Sequence, residues 1–276
     1  MGAMLVRLWF VLTLVLPLFA AAETAVDAPE RVRIALIIDD LGNQEVYGKK
    51  ALALPGAVTY SFLPQTPFAW QLASEAHRLN KEVMLHLPME SDLGNALGAG
   101  ALTLEMSQAE FLQTLKRNLA SVPYVAGVNN HMGSLLTRDP TAMRWLMNGL
   151  REAGLYFIDS RTTDATLAER VARNQFVATA RRHIFLDNVP ERDAVREQLA
   201  ALIEMAKEQG SAIGIGHPYP ETLSVLAEEL PKIETAGIEL VPASTLTNHG
   251  SELWHASSSP LHKAAKNSKP LPSPIY

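Results

Sequence analysis

Short apolar runs alternate with longer amphipathic stretches from about residue 31 to residue 247. The short runs are rich in Val, Ile and Leu, whereas the longer stretches carry their apolar residues on one face. This alternation is typical of β-strands followed by helices, and it favours parallel strand pairing. The predicted strands are 32–38, 58–62, 82–86, 125–129, 156–159, a weak pair around Phe176 and at 183–186, 212–215 and 238–241.

Helix signals fall between these strands, over residues 66–79, 107–119, 142–153, 190–209 and 219–236. Ser107 precedes Glu110 by three residues, the spacing of a capping box. The fourth stretch opens at Pro190 and stops at Gly210, the usual asymmetry of helix ends. Seven or eight such βα units are close to the number in an α/β barrel. An open doubly wound sheet is the alternative, but no G-x-G-x-x-G follows the first strand.

The two ends of the chain differ from this body. Residues 1–22 contain one arginine, an apolar run of about 12 residues and three alanines before Glu23, the order of a secretory signal peptide. The run is shorter than the ~20 residues that span a bilayer, although an uncleaved N-terminal anchor is the alternative. Residues 248–276 are rich in Ser, Pro and Lys, which predicts a disordered tail. We therefore expect one domain at 31–247, exported to the periplasm, with no transmembrane span in the mature chain.

Composition narrows the chemistry. The chain has 276 residues, a net charge of −5 and no basic block within the body, which argues against a nucleic-acid partner. It has no cysteine, so disulfides, thiol nucleophiles and cysteine-based zinc sites are excluded. Any bound metal must therefore be held by His, Asp and Glu.

Histidines and carboxylates stand at the predicted strand ends. Because the carboxyl ends of parallel strands meet at one edge, residues from different strands can build one site there. His and Asp are the residue types that metal binding and acid–base catalysis require. The strand ends carry Asp39-Asp40, His86, Asn129-Asn130-His131, Asp159 and His217.

Asp39 and Asp40 close an apolar strand, and a turn at Leu41-Gly42 would let both reach one site. One carboxylate could then bind a divalent metal while the other takes a proton from water. The alternative is that one of them caps the following helix.

His86 and His131 are candidate metal ligands, since neutral imidazole suits zinc and similar ions. Glu90 follows His86 by four residues, but Pro88 predicts a loop there, so Glu90 is either a further ligand or a group that supports one. The alternatives are a strand-end histidine satisfied by backbone and an Asn-rich turn at residues 129–133.

His217 could act as a general acid, because the ordinary pKa of histidine is close to neutral. Asn130 could orient a ligand or donate to an oxyanion. Asp159 could orient a histidine through a carboxylate–imidazole hydrogen bond, or pair with Arg161 instead.

Six stretches together resemble the divergent polysaccharide deacetylase family: IALIIDDLG, VTYSFLPQ, VMLHLPME, GVNNHMGS, YFIDSRTT and AIGIGHPYPETL. They span about residues 33–244. The resemblance implies a distorted (β/α) barrel with about seven parallel strands. Members of the family bind a divalent metal, often zinc, and remove N- or O-acetyl groups from glycans.

The resemblance also assigns roles. Asp39 matches the general base, Asp40 the metal-binding aspartate, His86 the first histidine of the second motif, and His217 the general acid. Glu90 stands where the ordinary deacetylases have a second histidine. The third motif, usually Arg-Pro-Pro-Tyr-Gly, is Asn-Asn-His-Met-Gly here, so the arginine that would hold the base is absent and His131 is the candidate replacement ligand.

We therefore expect a metal-dependent hydrolase that removes acetyl groups from an envelope polysaccharide such as peptidoglycan, with zinc as the first candidate for the metal. The altered second and third motifs leave an alternative, a non-catalytic periplasmic module that binds a glycan or an envelope protein partner. Hydrolysis of another amide, such as a peptide cross-bridge, is a third option.

Overall fold

The computed structural model describes residues 31–92, 94 and 96–248. The predicted signal peptide at 1–22 and nearly all of the predicted tail lie outside the described residues. The strands are β1 Arg33–Leu41, β2 Thr59–Phe62, β3 Glu82–Met89, β4 Val125–Met132, β5 Tyr156–Asp159, β6 Thr179–Arg181, β7 Ile184–Phe185, β8 Ser211–Gly216 and β9 Glu239–Leu240. The helices are α1 Glu45–Leu52, α2 Ala69–Arg78, α3 Gln108–Ser121, α4 Pro140–Ala153, α5 Ala168–Asn174, α6 Arg192–Gln209 and α7 Pro220–Thr235.

All strand pairs are parallel, and the sheet order is β6-β5-β4-β3-β2-β1-β8-β7, with β9 paired to the start of β1. Residues 179–185 cross from one edge of the sheet to the other. The backbone N–H of Arg182 donates to Asp159 on β5, and that of His183 donates to Ile213 on β8. This segment curls the sheet into a distorted barrel and confirms the predicted fold class. The sheet has nine strands instead of about seven, because several are only two or three residues long.

Two apolar layers enclose the sheet. The larger lies between the strands and the helices, and it takes alternate residues of β1 such as Ile34, Leu36 and Ile38. The smaller fills the barrel interior and takes the intervening residues, including Ala35 and Ile37. Strand alternation sends successive side chains to opposite faces, so both faces of the sheet are buried. Among the described residues, no helix combines the length and hydrophobicity that crossing a bilayer requires.

Local signals performed well where they were strong. The capping box at Ser107 and Glu110 is present at the start of α3, and α6 ends on Gly210 in the left-handed conformation. Two expectations were wrong. Phe176 lies in the turn after α5, with a φ of 57°, and its strand begins at Thr179. The residues after His86 do not form the predicted loop, because β3 continues through Pro88 to Met89. Proline has no backbone N–H to donate, but the pairing of β2 with β3 ends before Pro88, so the strand tolerates it.

Candidate active site

The inward-facing side chains change from apolar to polar at the carboxyl ends of the strands. On β1 the interior residue Ile37 is followed two positions later by Asp39, on β3 Met84 is followed by His86, and on β8 Ile215 is followed by His217. Because strand side chains repeat with a period of two, each polar residue stands directly above an apolar one. The barrel interior therefore ends in a polar rim.

Asp40 joins this rim through an unusual backbone conformation. As the neighbour of Asp39 it would face outward on a regular strand. Its φ is 57°, however, and the pairing of β1 with β2 slips in register between Ile38 and Leu41. This bulge, and not a turn at Leu41-Gly42, brings both carboxylates to one site.

Three donor atoms from three strands meet at the rim. His131 Nδ1 lies 3.0 Å from Asp40 Oδ1 and 3.1 Å from His86 Nε2, and His86 Nε2 lies 3.2 Å from Asp40 Oδ1. These are the residues predicted as metal ligands, and the structure brings all three together. Their metal-binding role stays a prediction.

Asn129 fixes the proton of His86. The Asn129 side-chain oxygen receives hydrogen bonds from Ser61 Oγ at 2.7 Å and from His86 Nδ1 at 2.8 Å. Its Nδ2 donates to both oxygens of Asp39, at 2.8 and 3.0 Å. With the amide oriented in this way, His86 must carry its proton on Nδ1 and present a lone pair from Nε2 to the rim.

The donor set suits a divalent cation. Asp40 Oδ1 is shielded from solvent and receives no hydrogen bond within the described structure, although two ring nitrogens surround it. A carboxylate oxygen and an imidazole lone pair repel each other unless a positive charge stands between them. Donors of a tetrahedral zinc site, with bonds of about 2.1 Å, lie roughly 3.3 Å apart, close to the separations here. Asp40, His86 and His131 therefore fit zinc or a similar ion.

The titration behaviour of the site points the same way. Burial raises the pKa of Asp40, but the contacts with His131 and His86 outweigh it and hold that pKa well below the usual range. Burial lowers the pKa of His86, yet Asp39 and Asp40 more than compensate and raise it above its usual value. The carboxylates thus favour a positive charge on or beside the imidazole.

Asp39 lies beneath this group, buried, with Asn129 as its hydrogen-bond donor. Burial raises the pKa of Asp39 despite the opposing influence of His86 and His217. The group that holds Asp39 is thus a neutral amide and not a guanidinium. A carboxylate held in this way is a stronger base than one paired with a guanidinium.

His217 stands on the other side of Asp40, with its Nε2 4.0 Å from Asp40 Oδ2. Asp187 receives hydrogen bonds from His217 Nδ1 at 2.9 Å, from the His217 backbone N–H at 2.6 Å and from Thr222 Oγ1 at 2.9 Å. Burial lowers the pKa of His217, but Asp187 outweighs it and raises that pKa to about 9. His217 is therefore a protonated donor at neutral pH.

Asp187 is the functional residue that sequence reasoning missed. It follows the short strand β7 in the stretch IFLD, directly after the strand predicted at 183–186. The signal was available, but that strand was itself only weakly predicted. Asp187, and not Asp159, orients a rim histidine.

Asp159 faces away from the barrel interior. Its carboxylate receives hydrogen bonds from the backbone N–H groups of Arg161 and Glu169 and from Thr166 Oγ1, so it organises the loop before α5. Within the described residues Asp159 makes no hydrogen bond or ion pair with a histidine. Arg161 forms its ion pair with Asp164, although its charge also lowers the pKa of Asp159. Strand alternation explains the outcome, because the neighbouring Ile158 fills the interior.

Glu90 and Asn130 support loops near the site. Glu90 Oε2 receives a hydrogen bond from the backbone N–H of Leu104 at 2.6 Å. Asn130 Nδ2 donates to the carbonyl of Met132, and its Oδ1 receives the N–H of Ser160. No hydrogen bond or ion pair joins Glu90 to a candidate ligand within the described residues. A role for either in contacting substrate stays a prediction.

The rim opens into two cavities that share Asp40 and Asn43. One, of about 370 Å³, lies beside His217 and includes Tyr219 in its wall. The other, of about 380 Å³, lies beside His131 and is lined mainly by apolar loop residues. A ligand at Asp40 can thus extend in two directions.

Relatives of the chain are found by sequence. It is 36% identical over 229 residues to the uncharacterized protein YibQ of Escherichia coli, covering 83% of this chain and 72% of that protein. It is 37% identical over 194 residues to an uncharacterized protein of Haemophilus influenzae, covering 70% and 69% respectively.

Structure and family comparisons agree with the fold. The crystal structure of an uncharacterized protein from Agrobacterium tumefaciens superposes with a TM-score of 0.76 at 23% identity, covering 79% of this chain and 89% of that one. Residues 36–247 match the family model described as divergent polysaccharide deacetylase. The chain therefore belongs to the divergent polysaccharide deacetylase family.

Proposed function

We propose that the protein is a metal-dependent hydrolase that removes acetyl groups from an envelope polysaccharide such as peptidoglycan. The observation that carries the proposal is the meeting of Asp40, His86 and His131 at 3.0–3.2 Å, with an acid and a base beside them. Family membership supports the reaction class. Export by the N-terminal signal would place the activity in the periplasm.

Asp40, His86 and His131 would hold the divalent metal, for which zinc is the first candidate. When bound, such an ion polarises an acyl carbonyl and lowers the pKa of water. Asn129 contributes indirectly, because it keeps the lone pair of His86 Nε2 directed at the rim. Mutation of a residue that orients a metal ligand typically lowers metal affinity by about 10- to 100-fold.

Asp39 is the proposed general base. Its carboxylate is buried, anchored at both oxygens by Asn129, and 3.7 Å from His86 Nδ1. It would accept a proton from the attacking water at one of its oxygens. Its raised pKa strengthens it as a base, because a base works best when its pKa approaches the operating pH.

His217 is the proposed general acid. Asp187 receives a hydrogen bond from Nδ1, which leaves the Nε2 proton free to reach the leaving amine or hydroxyl of the sugar. The cavity beside His217 gives that sugar a place to lie, and Tyr219 offers an exposed aromatic face in its wall. Asp39 and His217 thus give the site a separate base and acid beside the proposed ligands.

The proposal is tested by metal content and acetate release on the same preparation. Purified protein should contain about one equivalent of metal and release acetate from acetylated chitooligosaccharides or peptidoglycan. Chelation should abolish the release, and Zn²⁺ should restore it. Asp40→Asn should lose both metal and activity, whereas Asp139→Asn, which alters a carboxylate that caps α4, should keep both.

Two results would contradict the proposal. Acetate release by metal-free wild-type protein, or by metal-free Asp40→Asn, would show that the reaction does not need the metal. A fully metal-loaded protein that releases no acetate from any glycan would favour the alternative, a non-catalytic module that binds a glycan or an envelope protein.

A further inference from the structure

Arg182 occupies the part of the rim that the proposed mechanism leaves unused. It lies between β6 and β7, where residues 179–185 cross from one sheet edge to the other. Its guanidinium stands 3.7 Å from the ring centroid of Phe185, and that ring is stacked 6.2 Å from the ring of His217. Arg182 is therefore a neighbour of the proposed acid, on the side of the barrel away from β2.

The guanidinium of Arg182 is held in place but keeps unused donors. Nε donates to the carbonyl of Ser160 at 2.7 Å, and Nη2 donates to the carbonyl of Arg161 at 2.9 Å. Arginine has five N–H groups, so about three remain available. These two anchors, with the Phe185 ring beneath, fix the plane of the group. Fixed, planar donors are well suited to bind a carboxylate through two hydrogen bonds.

Arg182 forms no direct ion pair within the described residues, and its side chain is half-buried. Burial lowers its pKa and the nearby Arg161 adds to that effect, whereas Asp159, Asp164 and Asp39 oppose it from beyond ion-pair distance. A partly desolvated cation is most stable with an anion in direct contact. The free donors of Arg182 leave that place open for a carboxylate of a ligand.

Ser160 adds a second unsatisfied group at the same place. It is 1% exposed, and its hydroxyl has no hydrogen-bond partner within the described structure. Its own carbonyl is the acceptor of Arg182 Nε. Buried hydroxyls in native proteins usually have a partner, so one without a partner needs an explanation.

We propose that Arg182, assisted by Ser160, binds a carboxylate group of the substrate. The preferred substrate is then an acetylated sugar that bears a carboxylate, such as a lactyl ether or a uronate. The inference rests on the proposed function, because it specifies the substrate class of that same site. Arg182 acts on binding and orientation, and it takes no part in proton transfer.

The test compares two sugars that differ at one group. N-acetylmuramic acid oligomers carry a lactyl carboxylate, and in their methyl esters that group is neutral and one methyl larger. Wild-type protein should show a kcat/KM about 10- to 100-fold higher for the acid than for the ester, the range expected for charge-assisted hydrogen bonds. In Arg182→Met the ratio should fall to about 1, and Arg182→Lys should restore part of it. Ser160→Ala should lower the ratio by a few-fold.

Arg181→Met is the matched control. Arg181 is the adjacent arginine, but its side chain is half exposed and lies 3.9 Å from Glu169. Its loss should leave the ratio between acid and ester unchanged. If Arg182→Met fails to fold, as judged by circular dichroism, Arg182→Lys takes its place in the comparison, and an equal kcat/KM of wild-type protein for acid and ester overturns the inference.

A binding measurement separates this inference from the proposed function. Calorimetry on metal-loaded Asp39→Asn, in which turnover should be suppressed, gives dissociation constants for acid and ester without hydrolysis. Tighter binding of the acid that depends on Arg182 supports the inference even if no sugar is ever deacetylated. Equal affinity for acid and ester, or a ratio unaffected by Arg182→Met, overturns it.

Discussion

The two sides of the rim satisfy their polar groups in different ways. On the ligand side, an oxygen of Asp40 and ring nitrogens of His86 and His131 lie 3.0–3.2 Å from one another, and the Asp40 oxygen receives no hydrogen bond within the described residues. On the acid side, Asp187 and His217 form an ion pair that Thr222 completes. We call these groups the ligand half and the acid half.

The acid half is completed by hydrogen bonds within the described chain. The ligand half is held in place from below by Asn129 and Ser61, and its Asp40 oxygen receives no hydrogen bond there. In the proposed function, a divalent cation would complete the ligand half. Substitutions in one half should therefore leave the signature of the other intact.

The largest effect is expected for His86→Ala, which breaks the ligand half. Loss of one of three ligands should lower metal affinity by at least about 1,000-fold, because each ligand contributes a large part of the free energy of metal binding. Acetate release should become undetectable. Competition with a chromophoric chelator measures the affinity. His77→Ala, an exposed histidine of α2, should bind metal as wild type does. A His86→Ala protein with normal metal affinity would refute the assignment.

Asp187→Asn should break the acid half and spare the ligand half. Without the carboxylate, the pKa of His217 falls from about 9 toward its ordinary value. As general acid His217 must be protonated, so the pH above which activity is lost should be lower in the variant than in wild type. At neutral pH we expect kcat to fall by roughly 5- to 10-fold, because His217 is still present but is protonated in a minority of molecules and is no longer held by Asp187. A pH–rate profile and elemental analysis on one preparation measure both. Loss of metal in this variant would show that the halves are not separable.

The acid half should also make the stability of the metal-free protein depend on pH. The pKa of His217 is raised in the folded state from 6.5 to about 9. Its contribution is therefore fully present below pH 6.5 and is lost as pH rises through about 9. The contribution is on the order of 2 kcal/mol. Urea unfolding of chelator-treated protein at about pH 6 and about pH 10 should show this loss in wild type and not in His217→Gln. An equal pH dependence in both proteins would contradict it.

The smallest effect is expected for Ser61→Ala, which removes one donor to the Asn129 amide oxygen. Because His86 still donates to that oxygen, the group is not left unsatisfied. We expect a loss of about 1 kcal/mol in the free energy of unfolding and a change in metal affinity of less than about threefold. Thermal unfolding and chelator competition measure the two. A collapse of metal affinity would mean that Asn129 depends on Ser61 for its orientation.

Strand alternation and strand-end position were enough to predict the barrel and to place His86 and His131 at one edge of it. His86 and His131 each lie an even number of positions from apolar or small residues of the same strand that face the barrel interior, so they face inward too. The same rule could have excluded Asp159, because Ile158 beside it fills the interior. It could not have predicted that Asp40 reaches the site. On a regular strand Asp40 would face outward, and it reaches the rim only because its backbone is left-handed. Asp187 directly follows a weakly predicted strand, but the pairing of β7 with β8 that brings it beside His217 is a long-range contact that no local pattern encodes.

The left-handed backbone of Asp40 gives a way to sort relatives by sequence. Aspartate at φ 57° is disfavoured by about 1 kcal/mol relative to glycine, and only its carboxylate justifies keeping it there. In a homologue that no longer binds the proposed cation, the aspartate has no such role, and its replacement by glycine would stabilise the fold. Glycine at this position in an aligned homologue should therefore mark a member that has given up catalysis, before any protein is purified.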